Sequence, residues 1–221
     1  MMVMFVWGKT VITNDTLAYG LAPTPTTAAL GFDVGDKISS VDGMVLDDAM
    51  DINKWLFLRD VSTVEVVRAD GTNASVAIPE DFGKQLFAAG EMIPFVPYIP
   101  AIIDRVVVGS SAEAAGLLAN DQIIGVDGTA INPWHPTTIP PVQVSNAFKQ
   151  RQSEKVVMQI SRDNIISEIE IPVAMGDTLG IYYKGTFPKA TTYTYDVGQS
   201  IKEGFNYGYW TLYDYLSLIH I

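Results

Sequence analysis

The sequence predicts an α+β chain made of two tandem copies of one small domain, followed by an amphipathic helical segment. Three observations carry this. Residues 29 to 43, ALGFDVGDKISSVDG, return as residues 114 to 128, AAGLLANDQIIGVDG, with Ala29/Ala114, Gly31/Gly116, Asp36/Asp121, Ile38/Ile123, Val41/Val126, Asp42/Asp127 and Gly43/Gly128 identical at a constant spacing of 85. Each copy is followed by a helical stretch and a strand hairpin, closed at Asp70-Gly71 in the first and at Asp163-Asn164 in the second. Past Gly176 the sequence matches neither copy, and Val197, Ile201, Phe205, Tyr209, Leu212 and Leu216 recur at helical spacing.

The chain in order supports each element. Residues 10 to 22 suggest one or two short strands with a turn at Asn14-Asp15, and Pro23 and Pro25 lead into a short helix at 26 to 30. Gly31 closes that helix in the left-handed region, Ile38 and Val41 alternate as a core strand, and Asp42-Gly43 turns the chain. Asp47 or Asp48 caps a helix over 49 to 58 that places Ile52, Trp55, Leu56 and Arg59 on neighbouring turns. STVEVVRADGTNASVAIP then reads as two alternating strands. After a connector at 80 to 90, EMIPFVPYIP carries three prolines, a pattern suited to an edge strand or extended chain. The second copy begins at Ser110 and carries a longer loop, TAINPWHPTTIPP, so the spacing grows to 92, where Ile52, Leu56 and Arg59 meet Val144, Phe148 and Arg151. Strands KVVMQISRD and IISEIEIPV complete it, and a final helix starts near residue 196.

A length of 221 residues suits two domains of roughly 80 to 100 residues and a tail. Forty-eight per cent hydrophobic residues and a mean hydropathy of +0.19 exclude a disordered chain. A net charge of −11 without any Lys/Arg cluster excludes a nucleic-acid partner. The absence of cysteine removes disulfides, thiolate catalysis and zinc-thiolate sites together. Residues 1 to 7, all apolar, are too few for a spanning helix of about 20. They read either as the end of a truncated membrane helix, with Trp7 at the lipid boundary, or as a first strand. The chain also stops without a helix stop signal, as a piece of a longer protein would.

Catalytic chemistry finds no carrier. His135 and His220 lack the His-Glu-x-x-His pattern that holds zinc, and no Gly-x-Ser-x-Gly elbow or phosphate-binding loop is present. Ser110-Ser111 fits a helix cap, and Asp36, Asp42, Asp121 and Asp127 fit Asx turns better than acid-base work. Trp134 and His135, on the inserted loop, are a candidate contact surface.

The run SSAEAAGLLANDQIIGVDG resembles the bacterial PDZ pattern of small residues, Ala-Gly-Leu, an acidic corner, a strand and Asp-Gly, with the first copy more divergent at Thr26-Thr27 and Phe32. The resemblance implies two tandem PDZ-like domains, each a small partly open β-barrel with two helices, at 9–82 and 83–175. Residues 1–8 would end a membrane helix, and 176–221 would form a linker and membrane-proximal helix. It also implies peptide binding at a sheet edge beside a helix, with a terminal carboxylate held by backbone N–H groups. For the second copy the implied loop is Ala89, Gly90 and Glu91, the edge Met92, Ile93 and Phe95, and the facing helix Val144, Ala147 and Phe148. For the first copy, Gly8 and Lys9 would form the loop and Ile52 and Leu56 the helix face. Pro94 and Pro97 count against the second-copy edge, since neither offers an N–H.

The arrangement as a whole resembles the extracytoplasmic middle of a site-2 protease of the RseP type (regulator of sigma-E protease). This implies a parent zinc metalloprotease of the bacterial inner membrane with these domains on the periplasmic side, its zinc ligands lying outside this sequence. Its partner would be a membrane-protein substrate resembling a trimmed anti-sigma factor, or that substrate's C-terminal peptide. Membrane contact would occur at both ends. Alternatives are the PDZ pair of an HtrA-like periplasmic serine protease and a non-enzymatic PDZ adaptor.

Overall fold

Alternating β-branched runs joined by tight turns leave each short strand with one buried face, so helices must cover what the small sheets expose. The computed structural model describes residues 8–135, 137–185 and 187–218; the expected membrane-helix end at 1–7 and His220 lie outside them. The chain begins β1 (Lys9–Val11), β2 (Leu21–Pro23), α1 (Pro25–Ala28), β3 (Lys37–Val41), α2 (Asp51–Leu58), β4 (Thr63–Val67), β5 (Asn73–Ala77), α3 (Phe82–Ala89) and β6 (Phe95–Pro97). It continues through β7 (Ile103–Val106), α4 (Ser111–Ala114), β8 (Gln122–Val126), β9 (Thr129–Ala130), α5 (Pro140–Gln150), β10 (Lys155–Arg162), β11 (Ile165–Pro172) and β12 (Ile181–Tyr183). β13 (Thr191–Tyr193) and α6 (Val197–Leu218) complete it.

These elements form two units, one of residues 1–97 with 188–221 and the other of residues 98–187. The divisions differ from the expected 9–82 and 83–175, because the last strand of each unit lies beyond those limits. β6 pairs antiparallel with β2, matching Phe95 to Pro23, and β12 pairs antiparallel with β7, matching Ile181 to Val106. β13 pairs with β1, matching Lys9 to Tyr193, which returns the chain to the first unit.

The first unit orders β3-β4-β5 in one sheet, and the second orders β11-β10-β8-β9. Their cores correspond: Ile38, Val41, Ile52 and Val64 are buried in the first, and Ile123, Val126, Val144 and Val156 in the second. The hairpin at Asp163-Asn164 turns through two residues at φ 51° and 64°, the conformation that matches strand twist.

The repeated aspartates hold this layout together, and two of them do so by a route sequence spacing did not show. Asp36, fully buried, accepts from the Asp33 N–H at 2.8 Å and pairs with Arg68 Nη1 at 2.6 Å, while Arg68 Nη2 donates to the Gly31 carbonyl at 2.8 Å. Asp121, fully buried, accepts from the Leu118 N–H at 2.8 Å and from Arg162 Nε at 2.6 Å, while Arg162 Nη2 donates to the Gly116 carbonyl at 2.9 Å. Burial pushes the Asp36 carboxyl above its usual range, and the Asp33 N–H and the Arg68 guanidinium oppose that rise. Asp42 and Asp127 sit in the left-handed region at φ 47° and accept strand N–H groups, from Thr63 at 2.9 Å and Val157 at 2.8 Å, as the turn reading expects.

Helix α6 docks on the first unit by its polar stripe. Ser200 and Asp214 are buried, whereas Val197, Ile201, Phe205, Tyr209, Leu212 and Leu216, the apolar face expected from spacing, are exposed. The anchor is Arg59, which pairs with Asp214 through Nε–Oδ1 at 2.8 Å and Nη2–Oδ2 at 3.0 Å. Its guanidinium lies 4.5 Å from the Trp55 ring centroid and 4.2 Å from that of Trp210. No described helix is long and apolar enough to cross a membrane.

Breaking a buried ion pair on one side leaves an uncompensated charge and costs about 3–5 kcal/mol. The substitution Arg59→Ala is therefore expected to lower unfolding free energy by about 3 kcal/mol in urea titration. It should also expose Trp55 and Trp210 to a fluorescence quencher, while Arg59→Lys, lacking the planar fork, recovers only part of the loss.

Candidate peptide-binding groove

In the second unit, Pro140 and Pro141 set the first turn of α5, where a missing N–H is harmless. The helix that follows turns Val144 into the core and leaves Ala147 and Phe148 partly buried against it. Opposite runs β12. Val107 N–H donates to the Gly180 carbonyl at 2.8 Å, and Lys184 N–H donates to the Ile102 carbonyl at 2.9 Å. Backbone groups of an antiparallel strand alternate in direction, so between these two bonds Tyr182 faces β7 while Ile181 and Tyr183 present their backbone groups on the other side. The groove between α5 and this free edge encloses about 410 Å³ and is lined by Val144, Ser145, Phe148, Leu179, Ile181 and Tyr183.

One end of the groove is closed by the loop from Met175 to Gly180. Gly180 has φ +79°, and a Cβ there would meet the Ser110 Cβ at 2.3 Å, so this close approach admits glycine alone. Ser110 itself caps α4, accepting from the Glu113 N–H at 3.2 Å. The Leu179 carbonyl accepts from Ala112 N–H at 3.2 Å, whereas the N–H groups of Leu179 and Gly180 have no partner among the described residues. Arg151 ties the helix end to the loop, donating to the Ala174 carbonyl at 2.8 Å and to the Phe148 carbonyl at 2.9 Å while lying 3.9 Å from the Phe148 ring centroid. Lys149 also lines the groove. Burial pushes the Tyr183 hydroxyl well above its usual range, which keeps it protonated.

Unpaired N–H groups and two cations thus stand at one end, an apolar wall runs along the groove, and an open strand edge runs beside it. This arrangement suits an extended chain with an anionic end and an apolar side chain. No group of three metal-binding side chains occurs among the described residues. A larger cleft of about 790 Å³ in the first unit, between Phe57–Ser62, Ile78–Lys84, Tyr213 and Leu216, mixes exposed charges with apolar walls.

Val144, Ala147 and Phe148 all lie on α5, and Val144 and Phe148 line the groove, but the segment expected opposite them belongs to the first unit. Ala89 ends α3, Gly90 closes it at φ +72°, and Glu91 Oε2 accepts from the Thr26 N–H at 3.2 Å. Met92 and Ile93 are exposed, and Phe95 is buried edge-on against Phe32 with ring centroids 5.1 Å apart. Gly8 and Lys9, expected as the first copy's loop, meet β13 instead: Lys9 pairs with Tyr193, and a Cβ on Gly8 would come within 2.3 Å of the Tyr193 carbonyl. Ile52 and Leu56 face the core, 0% and 1% exposed. His135 fastens its own loop, its Nδ1 accepting from the N–H groups of Thr137 and Thr138 at 3.2 Å.

The residues missed were Met175 to Tyr183, which lie past the expected end of the second domain. A signal was available: Met92-Ile93-Pro94-Phe95 returns in pattern as Thr178-Leu179-Gly180-Ile181 at a spacing of 86, but only one of the two carries the glycine. A family model described as PDZ domain matches residues 102–162. The match includes the α5 wall and ends with β10, short of the loop and of β12.

The substitution Gly180→Ala is expected to displace the loop and lower the melting temperature by several degrees, since roughly 1–3 kcal/mol of strain falls on one position. Gly128→Ala, whose Cβ would meet no atom within 4 Å, serves as the backbone control at a similar φ of +75°.

Proposed function

We propose that residues 98–187 bind the carboxy terminus of an apolar-ended peptide, which adds as a strand to the free edge of β12 with its last side chain against Val144, Phe148, Leu179 and Ile181. The observation that carries this reading is the outward-facing backbone of Ile181 and Tyr183 beside unpaired loop N–H groups, within a unit that contains the PDZ match. Main-chain pairing supplies affinity in this mode, and pockets for alternate side chains supply selectivity. The terminal carboxylate takes the N–H groups of Leu179 and Gly180, with Arg151 and Lys149 adding positive charge at that end.

The first unit repeats the strand pairing, the buried Asp–Arg link and the helix facing a late strand, which supports its reading as a second, divergent PDZ-like domain. For the whole chain we propose the extracytoplasmic tandem region of a site-2 protease of the RseP type. The groove would receive the C-terminal peptide of a membrane substrate such as a trimmed anti-sigma factor, and the zinc would lie elsewhere in the parent protein. Duplication in tandem supports this, as does the outward apolar face of α6, which suits the surface of the bacterial inner membrane on its periplasmic side.

Two measurements test the proposal. In titrations followed by 15N NMR, N-acetyl octapeptides ending in a free Val, Leu or Phe carboxylate are expected to shift the amides of residues 178–183. C-terminal amidation and Phe148→Ala should each weaken binding about tenfold, a loss of about 1.4 kcal/mol. Equal binding of the amidated peptides would remove the carboxylate from the reading. For the helix, the chain is expected to float with phosphatidylcholine vesicles, and Phe205→Glu with Leu212→Glu to abolish flotation. Flotation unaffected by the double substitution would exclude α6 as the membrane surface.

A further inference from the structure

The equivalent groove of the first unit lies between α2 and β6, and its edge is already used. Thr24 N–H donates to the Pro94 carbonyl at 2.9 Å, so by strand alternation Phe95 and Pro97 face away from β2, as Ile181 and Tyr183 face away from β7. The side-chain amide of Asn53, on α2, meets Phe95 on both its polar groups: Nδ2 donates to the Phe95 carbonyl at 3.0 Å, and Oδ1 accepts from the Phe95 N–H at 2.7 Å. A carboxamide carries the same donor and acceptor as a peptide group, so this paired exchange is the one that two facing strand residues make. Pro97 offers no N–H further along the edge, and Pro94, at the place of Gly180, offers none at the loop. The helix positions correspond at the spacing of 92 that relates Ile52 to Val144 and Leu56 to Phe148, and at that spacing Asn53 meets Ser145. Ser145 lines the open groove, and its shorter side chain carries a single oxygen in place of the separate donor and acceptor atoms with which the Asn53 carboxamide matches a peptide group.

We infer that Asn53 acts as a built-in substitute for a peptide ligand, so that the first groove is closed and peptide enters the second alone, with the Asn53/Ser145 position deciding which groove opens. The inference rests on the reading that the second groove takes a peptide. Asn53 has its own signature even if that reading fails.

The test uses the whole 221-residue chain, labelled with 15N. The Phe95 amide is expected to exchange with deuterium slowly in the wild type and at least tenfold faster in Asn53→Ser. The N-acetyl octapeptides ending in Val, Leu or Phe should shift amides at 178–183 and leave those at 95–96 and the Asn53 side-chain NH2 in place. The reciprocal Ser145→Asn should weaken peptide binding at least tenfold with an unchanged melting temperature. Shifts at Phe95 on adding peptide to the wild type, or full binding by a folded Ser145→Asn, would overturn the inference. If no peptide binds either unit, the reading of the second groove fails. The claim that peptide enters the second groove alone falls with it, and the Phe95 exchange rates then decide only whether Asn53 occupies the first edge, slow wild-type exchange accelerated by Asn53→Ser upholding that occupancy and fast wild-type exchange defeating it.

Discussion

Each unit depends on one buried carboxylate that must not be left alone. Asp36 and Asp121 lie at the junction of a short helix, a core strand and a hairpin, and each is reached by an arginine at the turn end of the hairpin's first strand that also bonds a carbonyl of the helix end. A bare carboxylate there would carry a desolvation penalty of several kcal/mol, so the charge compels the three elements into one register. Two glycines follow from this requirement. Gly31 and Gly116 end their helices in the left-handed region, at φ +104° and +83°, which turns their carbonyls toward the arginine. The link is repeated while the surfaces around it diverge, and that is how one scaffold carries one open groove and one closed groove.

Much of this scaffold was legible because it rests on local rules. The core strands at Ile38–Val41 and Ile123–Val126, both hairpins, and the helix carrying Val144 and Phe148 follow from two- and four-residue periodicity and turn chemistry. The Asp–Arg link was not legible, because Arg68, just past the end of β4, and Arg162, at the end of β10, are far along the chain from their partners and stand where many residue types would fit. The groove's second wall was hidden for a different reason. Its strand, Ile181–Tyr183, has three residues, too few to show a period, and is separated from β11 by a loop that looks like the start of a linker. The same pairing seen from the other side assigned Ala89 to Phe95 to the following domain, since a short proline-rich strand declares no partner. The docking of α6 was not legible either: spacing identifies an apolar face, and only tertiary contact shows that the opposite face is the docked one, through Arg59 and Asp214.

The contrast between grooves shows how few atoms separate an open strand edge from an occupied one. A strand edge binds through a row of N–H and C=O groups. Two prolines delete two of the donors, and one asparagine consumes a donor and an acceptor together. Behind that edge, Ile52 and Leu56 are buried in the core of the first unit. Phe148, by contrast, remains partly uncovered on its helix.

The pairing of Lys9–Val11 with Thr191–Tyr193 gives the chain a temporal order. Residues 98–187 interrupt the first unit, so a ribosome delivers every strand of the second before it delivers the strand and the helix that complete the first. During synthesis, Arg59 and the unpaired edge of β1 wait through more than ninety codons of intervening chain for Asp214 and Tyr193. The first unit is started earliest and finished last, and its half-built state is the one a nascent chain must protect.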